Sequence, residues 1–135
     1  MIFYRAHPML SDSADTIPDV INVTHYPDMA ELLAVSDVLL TDYSSSMWDF
    51  SLTGRPVFLF APDLADYAGD RGFYFDMEKL PFPLGHSNDE LAAKVAGFDA
   101  KQYREALARY MDEMGNFEQG HATETLVKKI VAWCR

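Results

Sequence analysis

The stretch that decides the fold reads Leu39-Leu40-Thr41-Asp42-Tyr43-Ser44-Ser45-Ser46-Met47-Trp48-Asp49-Phe50. It predicts an apolar strand that ends in a run of hydroxyl side chains and then becomes a helix. In an open α/β sheet, ligands bind beyond the carboxyl ends of the strands, and the N–H groups at the start of a helix favour an anion. The stretch therefore predicts a phosphate site formed by Thr41, Asp42, Ser44, Ser45 and Ser46.

The same residues have a purely structural interpretation. In it, Asp42 or one of the serines is the N-cap of the helix, and the other hydroxyls lie in the turn. Hydroxyl side chains are common where helices begin. The sequence of this stretch alone leaves both interpretations open.

Short apolar segments alternate with helical patterns along the first half of the chain, and helices dominate afterwards. Strands are predicted over residues 2–6, 20–23, 38–40 and 57–60, and the later helices over 88–96, 100–113 and 121–133. This order predicts an α/β fold, a parallel sheet with helices on both faces and a helical tail, in a single domain over residues 1–135.

Local signals refine this outline. Asp28 followed by Glu31 predicts a capping box at the start of the first helix. Residues 38–40 are apolar throughout, as expected of a central parallel strand that is buried on both faces. Gly54 predicts the end of the helix that follows the serines, and the segment Pro81-Phe82-Pro83 predicts irregular structure.

Composition limits the classes of function. The 135 residues carry a net charge of −10, whereas nucleic-acid binding depends on Lys and Arg to neutralise phosphates. We therefore expect no nucleic-acid partner, and an anionic small ligand must be held by local donors. The lone Cys134 offers neither an internal disulfide nor a metal-ligand set, which fits a cytoplasmic setting. No apolar run approaches the ~20 residues that a membrane helix needs.

A second motif, Arg5-Ala6-His7-Pro8, follows the first predicted strand. His7 could act as an acid, a base or a phosphate donor near neutral pH, and Arg5 could reach a phosphate. In a parallel sheet this motif and the serines lie at the same edge. The alternatives are a structural histidine and an arginine that pairs with an acid.

The remaining candidates give weaker signals. Arg71, next to Gly72, either contacts the ligand from a loop or is simply exposed in a turn. His86 and His121 have no evident partner in the sequence. No Walker loop, G-x-G-x-x-G motif, zinc-ligand spacing or G-x-S-x-G elbow occurs.

Taken in order, these motifs resemble the CDP-glycerol glycerophosphotransferase family, the teichoic acid primases and polymerases of the bacterial envelope. The resemblance spans nearly the whole chain, and residues 36–45 with Asp49-Phe50 are its most specific part. Its other segments are Arg5-x-His7-Pro8, Tyr26-Pro27-Asp28, Glu31-Leu32-Leu33, Arg55-Pro56-Val57, Asp63, Tyr67, residues 71–76 and residues 120–124.

The resemblance implies a fold, a reaction and roles for particular residues. The fold is Rossmann-like, similar to the carboxyl-terminal, donor-binding half of a GT-B glycosyltransferase. The reaction transfers glycerol phosphate from CDP-glycerol to a polyol hydroxyl and releases CMP. At the matching positions, His7 is the catalytic or phosphate-stabilising histidine, and Arg5 with Ser44, Ser45 and Ser46 binds the diphosphate. The pattern requires no metal or other cofactor.

The amino-terminal half of such enzymes, which supplies acceptor contacts, has no counterpart in these 135 residues. We therefore expect the chain to bind CDP-glycerol or another CDP-polyol without turning it over. One open alternative is a non-catalytic nucleotide-binding module that acts with a separate acceptor-domain chain. Another is an α/β domain whose serine turn is only a cap.

Two further expectations concern location and assembly. The first is a cytoplasmic location, peripheral at the inner face of the membrane through the full enzyme or a partner. The second is a homodimer, because an apolar face left uncovered invites association.

Overall fold

The computed structural model describes residues 1–7, 17–70 and 72–134. The chain divides into two compact units, Met1–Asp37 and Val38–Arg135. The single donor-binding domain over residues 1–135 stays a prediction.

The first unit contains two short parallel strands and a helix. β1 (Phe3–Tyr4) pairs with β2 (Ile21–Asn22), and α1 (Met29–Val35) follows. Both strands lie within the segments predicted from the sequence. The parallel pairing places the carboxyl ends of β1 and β2 at the same edge of this small sheet.

The start of α1 differs in part from the predicted capping box. Asp28 is the N-cap, and its side chain accepts hydrogen bonds from the N–H groups of Ala30 and Glu31. The reciprocal half of the prediction is wrong, because the Glu31 carboxylate accepts a hydrogen bond from the Tyr26 hydroxyl. The oxygen that accepts is Glu31 Oε2, and its donor is an aromatic hydroxyl five residues earlier in the chain.

The second unit contains a three-stranded parallel sheet in the order β3-β4-β5. Its strands are β3 (Leu39–Thr41), β4 (Val57–Phe60) and β5 (Leu84–Gly85). The prediction that residues 38–40 form the central strand is wrong: β4 is central in this sheet, and Leu40 in β3 is 57% exposed.

The sequence pattern does not predict β5, since two residues show no periodicity. The preceding segment, Pro81-Phe82-Pro83, is irregular as predicted. Gly85 is required by packing against the helix that follows, because a Cβ at this position would lie 2.9 Å from the backbone nitrogen of Leu91.

Helices flank the parallel strands, so the predicted α/β fold is confirmed. They are α2 (Ser46–Ser51), α3 (Leu64–Asp70), α4 (Asn88–Ala96), α5 (Ala100–Glu113) and α6 (Ala122–Trp133), with a 3-10 turn at Met77–Lys79. Gly54 follows α2 with a φ of +69°, a conformation that favours glycine and stops the chain from continuing as a helix, as predicted.

The core of the second unit forms where α2 and β4 meet. Phe50 from α2 and Val57 and Leu59 from β4 are completely buried. Side chains of this size gain most from being removed from water. The core therefore fixes α2, and with it the serine turn, against the sheet.

A buried tyrosine joins α5 to the start of β4. The Tyr103 side chain is 5% exposed. Its hydroxyl donates to the carbonyl of Arg55 over 3.1 Å and accepts from the N–H of Val57 over 3.3 Å. One side chain thus pairs two backbone groups at the beginning of the central strand.

Tyr103→Phe is expected to lower the free energy of unfolding by about 1–3 kcal/mol, because it removes the hydroxyl that pairs with the buried N–H of Val57 and with the carbonyl of Arg55. Urea unfolding followed by circular dichroism measures this loss. Tyr74→Phe is the matched control, because Tyr74 is fully exposed. Equal unfolding midpoints for the two variants would contradict the assigned role of Tyr103.

The last helix presents an apolar face to solvent. Leu126, Val127, Ile130 and Val131 share one side of α6 by helical spacing, and each is between 47% and 58% exposed. None of the described helices is long and apolar enough to cross a membrane.

Candidate functional site

The serine turn, residues 44–46, connects β3 to α2. Thr41 is the last residue of β3, Asp42 is exposed, and Ser46 is the first residue of α2. The hydroxyls of Ser44 and Ser46 lie 2.9 Å apart in a hydrogen bond, and Ser44 Oγ accepts from the N–H of Ser46 over 3.3 Å. The turn therefore lies at the carboxyl end of a parallel strand, where the sequence predicts it.

The cap-only interpretation accounts for one serine and not for its neighbour. Ser44 satisfies the N–H of Ser46 and so acts in a capping role. Ser45 occupies the N-cap position, yet its exposed side chain makes no capping hydrogen bond. Because α2 has only six residues, local hydroxyl and N–H donors, rather than a helix dipole, determine what the turn can bind.

Tyr43 holds the segment between β3 and the serine turn. Its hydroxyl donates to Asp63 Oδ1 over 2.7 Å. Its ring stacks on that of Tyr67, with centroids 4.1 Å apart, and contacts the ring of Phe73 at 5.4 Å. Burial, together with the hydrogen bond to Asp63, raises the pKa of the Tyr43 phenol. The hydroxyl consequently stays a donor at least up to the ordinary phenol pKa of about 10.

Arg5 and His7 lie just beyond β1 in the first unit. Ala6 between them is buried, and its N–H donates to the Thr24 hydroxyl over 3.0 Å. This anchor leaves Arg5 and His7 exposed on either side of it. Arg5 Nη1 donates to the carbonyl of Tyr26 over 2.8 Å, so this contact is with the backbone and not with an acidic side chain.

The structure thus groups the predicted site residues by unit. Thr41, Asp42 and the three serines share one turn of the second unit, and Arg5 and His7 share one loop of the first. The common edge predicted for the two motifs stays a prediction. Arg71 lies outside the described residues, as does Pro8.

The prediction that His86 has no evident partner is wrong. Its ring nitrogens lie 3.2 Å from the carbonyl of Ala61 and 3.0 Å from Glu78 Oε1. The backbone N–H of His86 donates to Glu90 Oε2 over 2.8 Å. Since Ala61 follows β4 and His86 follows β5, this histidine lies at the carboxyl edge of the sheet. The signal available in the sequence was the spacing of Ser87 and Glu90, which is typical of a capping box.

The other histidine without an evident sequence partner, His121, lies 3.9 Å from Glu124 at the start of α6. Within residues 1–7, 17–70 and 72–134, no three His, Cys, Asp or Glu side chains gather as a metal ion would require.

Comparison with known proteins decides the family. The model of the family described as CDP-Glycerol:Poly(glycerophosphate) glycerophosphotransferase matches residues 1–132. The chain belongs to this family. The resemblance of the sequence motifs to the CDP-glycerol glycerophosphotransferases is therefore confirmed.

Curated relatives of this glycerophosphotransferase-family chain act with both glycerol and ribitol phosphates, according to their names. It is 36% identical over 131 residues to the teichoic acid poly(glycerol phosphate) polymerase of Staphylococcus epidermidis, covering 92% of this chain and 18% of that protein. It is 37% identical over 87 residues to the teichoic acid ribitol-phosphate primase of Bacillus spizizenii, covering 62% of this chain and 22% of that protein.

A solved structure confirms the fold of this family member. The wall teichoic acid polymerase TagF, in a variant soaked with CDPG for 30 minutes, superposes with a TM-score of 0.78 at 35% identity. The match covers 97% of this chain and 34% of that one. The α/β fold is thus that of a GT-B-like transferase, and the chain spans about a fifth to a third of the relatives' lengths.

Proposed function

We propose that residues 1–135 are the donor-binding domain of a glycerophosphotransferase of teichoic acid or related cell-surface polymer synthesis. The ligand is CDP-glycerol or another CDP-polyol. Family membership supports the reaction class. The observation that carries the site is the exposed Ser45 hydroxyl without a capping role, beside Ser44 and Ser46 at the carboxyl end of β3.

The serine turn suits a diphosphate because hydroxyl and N–H groups both donate hydrogen bonds to phosphoryl oxygens. Thr41 adds a further hydroxyl at the end of β3. Asp42 can only accept when ionised, so it would bind a hydroxyl of the donor rather than a phosphate. Several such contacts would bind the nucleotide with a Kd of about millimolar to micromolar, in spite of the chain's net charge of −10.

His7 is proposed as the catalytic or phosphate-stabilising histidine of the transfer. Attack at phosphorus requires an oriented nucleophile and neutralisation of charge on the leaving group, and an imidazole near neutral pH can supply a proton. Arg5 is proposed as a second phosphate donor, since the carbonyl of Tyr26 takes a single contact from its guanidinium and arginine has five N–H donors. Arg71 is proposed as a further contact.

Calorimetry with CDP-glycerol, CDP and CMP tests this function. We expect CDP-glycerol and CDP to bind with similar affinity, and CMP to bind about tenfold more weakly because it lacks the second phosphate. A chain in which the serine turn is only a cap would release no heat with any of the three. That result would contradict the proposed function.

The acceptor contribution is proposed to come from residues outside these 135, equivalent to the part of the relatives that the match does not cover. The exposed apolar face of α6 supports this proposal. A helix of 12 residues is about 18 Å long and about 10 Å wide, so one face offers on the order of 200 Å² of contact. A stable interface buries about 800 Å² per partner, so this face would form one part of a larger contact, and a second copy of the chain is the alternative occupant.

We propose a cytoplasmic location, peripheral at the inner face of the membrane through the full enzyme or a partner. Alone, the chain is expected to release no CMP from CDP-glycerol. Detectable release by the purified 135 residues would contradict the assignment of the acceptor contribution to residues outside them.

A chimera tests the partner surface. When the chain replaces the matching segment of the Staphylococcus epidermidis polymerase, we expect CMP release, and Leu126→Ser with Ile130→Ser should abolish it. Thr123→Ser with Thr125→Ser is the matched control on α6. Analytical ultracentrifugation of the isolated chain tests the alternative. A dimer that dissociates in the Leu126→Ser, Ile130→Ser variant would assign this face to a second copy of the chain.

A further inference from the structure

One hydrogen bond joins the two segments that follow neighbouring strands of the second unit. Tyr43 lies just after β3, and Asp63 lies just after β4. The phenol hydroxyl donates to Asp63 Oδ1 over 2.7 Å. The backbone carbonyl of Asp63 also accepts the N–H of Tyr67 over 3.0 Å, so the carboxylate belongs to a residue that is itself fixed directly before α3.

The serine turn needs support of this kind. Its own hydrogen bonds are local: the Ser44 hydroxyl pairs with Ser46, and the carbonyls of Ser44 and Ser45 accept from the N–H groups of Met47 and Trp48. The buried Phe50 holds α2 itself against the sheet, whereas Ser44 and Ser45 precede the helix and depend on contacts of their own. Because Tyr43 directly precedes Ser44, fixing the tyrosine ring fixes the backbone from which the serine hydroxyls point.

The aromatic contacts and the hydrogen bond restrain different motions of Tyr43. Stacking on Tyr67, with rings inclined at 23°, and contact with Phe73 hold the ring between neighbours. The hydrogen bond from the Tyr43 hydroxyl to Asp63 fixes the position of the ring along the carboxyl edge of the sheet. An ionised carboxylate cannot donate a hydrogen bond to a phosphate, so Asp63 is not expected to contact the diphosphate. Its hydrogen bond with Tyr43 gives it a role at this edge of the sheet.

We infer that Tyr43 and Asp63 are positioning residues, whose hydrogen bond holds the serine turn in the conformation that binds the diphosphate of the donor. The identity of the ligand in this inference rests on the proposed function. The ordering of the serine turn by the hydrogen bond does not, because the turn must already be ordered in the ligand-free protein.

Two measurements separate these parts. The first is amide hydrogen exchange of Ser46 and Met47 in the ligand-free protein, followed by NMR. The second is the affinity for CDP measured by calorimetry. The variants are Tyr43→Phe, Asp63→Ala and Asp63→Asn, because the asparagine keeps an oxygen acceptor for the hydroxyl. Asp66→Ala is the control, since Asp66 is an exposed carboxylate in the first turn of α3.

We expect Tyr43→Phe and Asp63→Ala each to speed exchange at Ser46 and Met47 and to weaken CDP binding, by about five- to tenfold in both cases. Their combination should be no worse than either alone, because both remove the same bond. Asp63→Asn should restore both properties, and Asp66→Ala should leave both unchanged.

Unchanged exchange at Ser46 and Met47 in Tyr43→Phe would overturn the inference whether or not nucleotide binds. Failure of Asp63→Asn to restore affinity would also overturn it, since the carboxylate would then act on the ligand itself. If the wild-type chain binds no CDP while exchange responds as expected, the proposed function fails and the ordering of the turn by this bond stands.

Discussion

Phe50→Ala is expected to lower the free energy of unfolding by about 3–5 kcal/mol, the usual cost of removing a buried aromatic ring. Phe50 is completely buried and lies in α2, four residues after Ser46. The loss includes the cavity left behind, because α2 and β4 cannot close around it fully. Since small domains have a total stability of about 5–15 kcal/mol, this single change removes a large fraction of it.

Guanidinium unfolding, followed by tryptophan fluorescence, measures the effect of Phe50→Ala. Leu52→Ala is the matched control, since Leu52 follows α2 and is 55% exposed. We expect the control to cost less than about 1 kcal/mol. A similar loss for both variants would mean that α2 is not fixed by the core described for the second unit.

Ser44→Ala combined with Ser45→Ala is expected to lower the affinity for CDP-glycerol by at least about 100-fold. Each hydroxyl lost removes a hydrogen bond to a charged phosphate, a class of bond worth about 1.5–3 kcal/mol. The single variants should differ. Ser45→Ala should affect affinity alone, whereas Ser44→Ala should also lower stability by about 0.5–2 kcal/mol, because Ser44 accepts from the N–H of Ser46 in a capping role.

Ser87→Ala provides the control for losing a hydroxyl at the start of a helix. Ser87 is the N-cap of α4, where its side chain accepts from the N–H of Glu90. Its loss should reduce stability and leave nucleotide affinity unchanged. Equal affinities for the wild type, the Ser44 and Ser45 double variant and this control would remove the serine turn from the site.

The sequence predicted elements whose signals are local. β4 is a run of four apolar residues, and α5 combines an Asp99 cap with fourteen helical residues; both were predicted with the observed bounds. The serine turn was located because a strand, a hydroxyl run and a helix follow one another directly.

Features that depend on residues far apart in the chain were missed. The short strand β5 exists because it pairs with β4, whose register with Leu84 no local pattern encodes. The acceptor for Tyr43 lies 20 residues away at Asp63, and the partners of His86 lie at Glu78 and in the loop after β4. Such contacts follow from tertiary packing, which overrides local preference.

A crystal structure of the chain soaked with CDP-glycerol tests the central claim most directly. The account predicts the diphosphate on the serine turn, with a phosphoryl oxygen about 2.5–3.0 Å from the hydroxyl of Ser44 or Ser45, the range of an O–H donor and an oxygen acceptor. A nucleotide bound elsewhere on the chain, with both serine hydroxyls directed to solvent or to protein atoms, would contradict it.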